Sequence, residues 1–243
     1  MNEQPTGKNG PLEGLRVIDW TMWQFGPVST MMLADLGAEV IKVESLDGDH
    51  ARQFHRVSGA ASTLPGDLNA YFQSLNRQKM SLAVDLKTEK GKEIMYRLVE
   101  ESDVFVQNFR KGVAERLGLG YDDLVKRNPM IVYGAGTGYG PKGPDSEKPA
   151  FAYTGEARSG SLWWAGPDDG NPYNLQSIAD QISGIMLSYG ILGALMARER
   201  FGKGQKVDVS HLGSMMWLGG NKYGIALLTG NNPGRQDRRS ARN

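Results

Sequence analysis

Three features of the chain predict an α/β protein built on a doubly wound parallel sheet. Short apolar runs alternate with helix-like stretches along most of the 243 residues, the pattern of strands flanked by helices. The first three elements, LRVIDW (15–20), GPVSTMMLADLG (26–37) and AEVIKVE (38–44), make a strand–helix–strand unit of about 30 residues, as a parallel crossover requires. The 32 glycines cluster at element boundaries, where turns and close backbone approach need them.

In the first unit Pro27 suits a helix's first turn and Gly37 its C-cap. Ser45 to Asp67 is polar and without a clear period, so it is expected on the surface. AYFQSLN (70–76) and MSLAVDL (80–86) read as short strands around an NRQK turn. KTEKGKEIMYRLVEES (87–102) is an amphipathic helix, apolar at Ile94, Leu98 and Val99, and feeds the strand DVFVQN (103–108). VAERLG (113–118) and YDDLVKRN (121–128) read as helical, and MIVYGAG (130–136) as a buried strand. A Gly/Pro-rich loop, GTGYGPKGPDSEKP (136–149), follows it. AYTGEARSGSLWWAG (152–166) holds a short helix, and PDDGNP (167–172) is a turn. The longest helix is expected over 175–200, where Arg198 and Arg200 suit its C-terminus. GKGQ (202–205) turns into the strand KVDVS (206–210), and 212–230 reads as one further helix. NNPGRQDRRSARN (231–243) is basic and structureless.

The formal net charge of +1 gives no reason to expect nucleic acid or an anionic membrane as the main partner. No run reaches the roughly 18 consecutive apolar residues of a membrane span. MNEQPTGKNG at the start lacks the apolar core of a secretion signal, so a cytoplasmic location is expected. The absence of cysteine removes disulfides, thiolate metal sites and cysteine nucleophiles.

In an open α/β sheet ligands bind beyond the carboxyl ends of the strands, which directs attention to three loops. Gln24 and Phe25 follow the first strand, just before a helix N-terminus able to attract anions. Asn108 and Phe109 end the strand-like run DVFVQN, with Arg110, Lys111 and Arg116 close behind, a set suited either to a nucleotide or to a solvated surface. Gly138, Gly140 and Gly143 spell GxGxxG, but prolines follow and no helix opens on the last glycine. The loop therefore reads as a place of close backbone approach, from which Tyr139 projects, and not as a dinucleotide fingerprint. Arg77 and Lys79 form a basic turn that fits either phosphate or solvent. His50 and His55, near Asp47 and Asp49, lack the regular spacing that fixes metal ligands, so no metal is expected. His211 sits beside Ser210, and adjacent side chains diverge, so the two make no triad.

Asp180 stands apart. Asp disfavours helix interiors and is costly to bury, yet it opens the most apolar segment of the chain. It either complements the positive helix end or serves as a nucleophile or base. Ser177 and Gly184, at i−3 and i+4, are small and would leave one helix face open to a substrate.

Taken in order, PLEGLRVIDW, the block from Gly26 to Glu44, NRQKMSLAVDLK, DVFVQNF, IVYGAGTGYGPKGP and IADQISGIMLSYGILGALMARERFGKGQKVDVS cover most of residues 11–218. This run resembles the class III coenzyme A transferases, the family of formyl-CoA transferase and carnitine CoA-transferase. The resemblance implies a Rossmann-like large domain over 11–229, a disordered tail over 1–10, and a linker over 230–243 toward a smaller domain. It also implies an interlocked homodimer. It places Asp180 on the family's catalytic aspartate, and Gln24, Phe25, Asn108, Phe109, Arg116, Thr137, Gly138 and Tyr139 on positions that hold coenzyme A or line the acyl site. Arg77 and Lys79 match its basic turn near the nucleotide. Thr137 stands where formyl-CoA transferase has a lysine, and Ser45 where some members carry an arginine, so the nucleotide contacts are expected to differ.

The activity implied is transfer of coenzyme A from an acyl-CoA donor to a carboxylic acid acceptor. It would pass through an aspartyl-acyl anhydride and an aspartyl-CoA thioester on Asp180, with coenzyme A as co-substrate and no metal. The related α-methylacyl-CoA racemases carry a His–Asp pair where this chain has Phe151 and Ala152, and Phe cannot carry a proton. An α-methylacyl-CoA racemase or epimerase is one alternative, and a non-catalytic CoA-binding fragment or subunit that needs a second polypeptide is the other. Trp23, Phe25, Phe151, Trp163 and Trp164 suggest an apolar or aromatic acyl group.

Overall fold

A computed structural model describes residues 10–57, 59–165, 170–171 and 177–235. The expected tail (except Gly10), most of the PDDGNP turn, the first residues of the expected long helix and the end of the expected linker (236–243) lie outside the described residues.

Chain order runs β1 (Arg16–Trp20), α1 (Phe25–Asp35), β2 (Glu39–Glu44) and a 3₁₀ turn (His50–Gln53). The short strands β3 (Arg56–Val57), β4 (Ala60–Ala61), β5 (Thr63–Leu64) and β6 (Leu68–Asn69) follow. Then come α2 (Ala70–Asn76), β7 (Lys79–Ala83), α3 (Glu89–Glu100), β8 (Val104–Gln107), α4 (Val113–Arg116), α5 (Tyr121–Leu124) and β9 (Val132–Thr137). The chain continues through α6 (Ala152–Arg158), α7 (Ser161–Trp164), α8 (Ile178–Phe201), β10 (Lys206–Ser210), α9 (His211–Leu218) and α10 (Gly220–Thr229).

Six strands form one sheet in the order β10-β9-β8-β1-β2-β7, every pairing parallel. The order reverses between β1 and β8, the crevice where a doubly wound sheet takes its ligand. Side-chain alternation sorts the two faces: Val17, Val104 and Val106 pack toward α1 and α8, while Ile18, Trp20 and Phe105 join the core with α3 and its Met95 and Val99. By length and composition α8 could cross a membrane, but its Leu187, Ile191 and Leu195 are packed in the core of this sheet.

Several elements depart from expectation. AYFQSLN is helix α2: Asn69 caps it by accepting from the Phe72 N–H at 2.9 Å, and Phe72, Leu75 and Asn76 turn inward at helical spacing. The inward face of α3 is Met95 and Val99, leaving Ile94 exposed. The single helix expected over 212–230 is two, α9 and α10, broken at Gly219. The segment 45–67 holds buried anchors, Asp49 and Ala51, among its surface residues. Gly184 does not open a face for substrate. A Cβ there would lie 2.6 Å from Val28 Cβ and 2.9 Å from the Phe25 carbonyl oxygen, so its smallness lets α1 press against α8. The outer sides of α8, α9 and α10 carry exposed Tyr189, Phe201, Trp217, Leu227 and Leu228.

Candidate functional site

The β1–α1 loop reaches the crevice through a buried network. Lys79 Nζ lies 2.8 Å from Asp19 Oδ2 and donates also to the Asn76 side chain and the Pro27 carbonyl. Asp19 accepts from Thr30 and Thr21 as well. Burial opposes the Asp19 charge, but Lys79 and Lys42 hold its carboxyl well below the usual carboxylate range. Lys42 in turn donates to the Thr21 carbonyl and pairs with Asp49 at 3.1 Å, and Asp49 Oδ1 accepts from the Trp23 N–H. On the other side of the crevice Asn108 grips the same loop with both ends of its amide, accepting from Met22 N at 2.9 Å and donating to Met22 O at 2.8 Å. The loop bearing Trp23, Gln24 and Phe25 is thereby fixed to β1, β2, β7 and β8.

Asp180 enters from the opposite wall, in the first turn of α8. Glu156 of α6, itself buried, caps that turn by accepting from the Ala179 N–H at 3.2 Å. Burial raises the Glu156 carboxyl above its ordinary range, opposed by the Ala179 N–H and reinforced by the Asp180 charge. One oxygen of Asp180, Oδ1, lies 2.8 Å from His211 Nε2. The His211 ring packs 4.8 Å from that of Phe25, centroid to centroid.

Asp180, Trp23 and Phe151 lie at the junction of two cavities. The first, about 250 Å³, runs along the switch point past Phe25, Phe109, Thr137, Gly138 and His211, and Arg110, Lys111 and Lys148 supply cations. The second, about 810 Å³, is lined by Gln24, Phe54, Tyr71 and Tyr153, and Asp180 is the one charged side chain among its described lining residues. The Tyr71 hydroxyl donates to Gln24 Oε1 at 2.9 Å, and burial, aided by the Asp180 charge, raises its pKa.

Of the residues singled out in the sequence, Asp180, Phe25, Asn108, Phe109, Thr137 and Gly138 converge on the first cavity, and Gln24 on the second. Arg77 and Lys79 do not. The Lys79 side chain is 1% exposed and committed to Asp19, and Arg77 pairs with Asp35 on the surface, so both cations of the basic turn are engaged in ion pairs that brace β7 and α1. Arg116 and Tyr139 line neither cavity, and the Asn108 amide is spent on the loop. Trp163 and Trp164 also lie away from Asp180; Trp164 packs on Tyr223. His211, Glu156 and Tyr71 are the site residues that sequence reasoning missed. In sequence His211 has only Ser210 beside it as a candidate partner, whereas its bonded partner, Asp180, lies 31 positions away. Among the described residues no group of three or more His, Asp or Glu could hold a metal ion.

The sequence pattern of CoA-transferase family III matches residues 12–243. An acetyl-CoA:oxalate CoA-transferase of Acetobacter aceti is 39% identical over 85% of this chain and 52% of its own length. A probable fatty acyl-CoA transferase of Mycobacterium tuberculosis is 41% identical over 82% of this chain and 50% of its own length. The crystal structure of a CaiB/BaiF family protein from Brucella suis superposes with a TM-score of 0.86 at 35% identity, over 94% of this chain and 60% of that one. The chain spans about half the length of the curated relatives it matches.

Proposed function

The chain belongs to CoA-transferase family III, and from that membership we propose that it transfers coenzyme A between an acyl-CoA donor and a carboxylic acid, with Asp180 as the covalent nucleophile. The observation that carries this reading is the position of Asp180, at the meeting point of a cation-bearing cavity and a second whose described lining holds aromatic side chains and no cation. A carboxylate so placed can attack a thioester whose CoA arm lies in the first cavity and whose acyl group lies in the second.

In the reaction proposed, Asp180 Oδ2 attacks the donor thioester and expels CoA thiolate, leaving an aspartyl-acyl anhydride. The thiolate attacks Asp180 Cγ, and the donor acid departs from an aspartyl-CoA thioester. An acceptor carboxylate then runs the two steps in reverse. Arg110, Lys111 and Lys148 would attract the anionic arm of coenzyme A. The second cavity has aromatic walls and no cation among its described lining residues, which favours a monocarboxylic acyl group with an apolar or aromatic body.

A racemase needs two bases facing each other across the substrate's α-carbon. Asp180 and His211 are bonded to one another and would act from one side, and Phe151, which lines the same cavity, cannot carry a proton, which supports transfer over proton exchange. The apolar outer sides of α8 to α10 support the expectation that further polypeptide covers them, as a second subunit would.

The test is an exchange assay with acetyl-, butyryl- and benzoyl-CoA as donors and isotope-labelled acetate, butyrate and benzoate as acceptors. Labelled acyl-CoA should form with the wild type and not with Asp180→Asn. Loss of α-hydrogen to deuterated solvent from 2-methylbutyryl-CoA, without acid exchange, would favour the racemase.

A further inference from the structure

We propose that His211 is a catalytic residue, the hydrogen-bond donor that stabilises the oxyanion formed on Asp180 itself; this rests on Asp180 being the nucleophile of the proposed transfer. The ring is placed for that task and for little else. Its Nε2 lies 2.8 Å from Asp180 Oδ1, and its Nδ1 is buried without a hydrogen-bond partner among the described residues. In the neutral ring the proton therefore belongs on Nε2, facing the carboxylate.

The ring is also held in place. Ser210 caps α9 by accepting from the Gly213 N–H at 3.0 Å, which fixes the backbone that His211 begins. Gly155 of α6 lies so close that any Cβ there would run into His211 Cβ. Phe25 packs on the other side, and the side chain is 7% exposed against 18% for Asp180. The bond leaves Oδ2 as the oxygen free to attack.

The two oxygens then have different fates. When Oδ2 attacks the donor, the negative charge develops on the donor's own carbonyl oxygen. When the CoA thiolate attacks Cγ, the Cγ–S bond forms and the carbonyl π pair moves onto Oδ1. As that pair returns, the Cγ–Oδ2 bond breaks and the donor acid leaves as its carboxylate, taking Oδ2 with it. The acceptor carboxylate attacks the thioester at the same carbon and again places charge on Oδ1. The Nε2–H therefore sits at oxyanion-hole distance from the atom that bears charge in the aspartyl-thioester steps. In the first step it bonds the resting nucleophile instead, where its removal would not slow attack.

The experiment is rapid-quench mass spectrometry of the Asp180 peptide after mixing the protein with acetyl-, butyryl- or benzoyl-CoA, compared among wild type, His211→Leu and His211→Gln. In H211L free CoA should appear at the wild-type rate or faster, and the acyl-aspartyl species should accumulate. Its conversion to the aspartyl-CoA thioester should fall by about 10²–10³-fold, the effect of losing one oxyanion donor. H211Q, whose amide N–H reaches the same oxygen, should recover most of the rate. His211→Asn, too short to reach Oδ1, replaces H211L if the leucine variant does not fold, with the same expectation. Wild-type partitioning in the variant lacking the donor, or equal slowing of both steps in all variants, would overturn the role of His211. Absence of any wild-type adduct would instead remove the nucleophile reading beneath it.

Discussion

Lys79→Met separates two uses of a basic residue, bracing a fold and binding a nucleotide. The ammonium lies 2.8 Å from Asp19 Oδ2, 2.9 Å from Asn76 Oδ1 and 3.0 Å from the Pro27 carbonyl oxygen, with the lysine side chain 1% exposed and that of Asp19 fully buried. Methionine fills much of the volume but leaves Asp19 with Thr21, Thr30 and the more distant charge of Lys42. Removing one member of a buried pair costs about 3–5 kcal/mol, because the other charge stays buried and uncompensated. For a chain of this size each kcal/mol lowers the melting temperature by about 2–4 °C, so a drop on the order of 10 °C is expected. The assay is thermal and urea unfolding of wild type, K79M, Asp19→Asn and the double variant. The double variant should be less destabilised than the sum of the singles, since both remove the same interaction. A K79M protein that melts with the wild type but loses coenzyme A affinity would refute the reasoning and return Lys79 to the nucleotide.

Two further outcomes follow from the crevice. Asn108→Ala removes both bonds to Met22 and should cost about 1–3 kcal/mol in urea unfolding, with weaker coenzyme A binding by calorimetry because the loop carrying Phe25 loosens. Unchanged stability would mean the loop does not depend on that amide. Glu156 has its carboxyl raised by burial above the ordinary 4.5, so the native state holds the proton longer than the unfolded chain does. The stability this confers is complete below pH 4.5 and is lost as pH rises through the raised value. Glu156→Gln, neutral throughout, should therefore gain on the wild type between about pH 4 and about pH 8 in urea midpoints, and a gap independent of pH would contradict the assignment.

The sheet was legible because its strands announce themselves. LRVIDW, AEVIKVE, DVFVQN and KVDVS are short, β-branched and bounded by turns, and all four are strands of one parallel sheet. AYFQSLN was misread because its aromatic residues favour a strand locally, while the Asn69 cap and inward Phe72 and Leu75 decide for a helix. Asp180 was legible as an acid out of place at the head of an apolar helix. Its environment was not, because the residues that shape it come from α6, α9 and the β1–α1 loop. No local period connects Glu156, Asp180 and His211, which packing alone brings together. The smallness of Gly184 was read correctly as room, but the room is taken by Val28 and not by a ligand. The bracing of Lys79 was hidden for the same reason, since its counter-charge, Asp19, lies 60 positions away.

The central claim is that Asp180 becomes covalently bonded during turnover. Mass spectrometry of the Asp180 peptide, after acid quench of the protein with an excess of acetyl-, butyryl- or benzoyl-CoA, tests it most directly. A peptide heavier by coenzyme A less one water is expected, absent from Asp180→Asn and converted to a hydroxamate at Asp180 by hydroxylamine. A protein that binds coenzyme A and exchanges acids while that peptide stays unmodified and insensitive to hydroxylamine would contradict it.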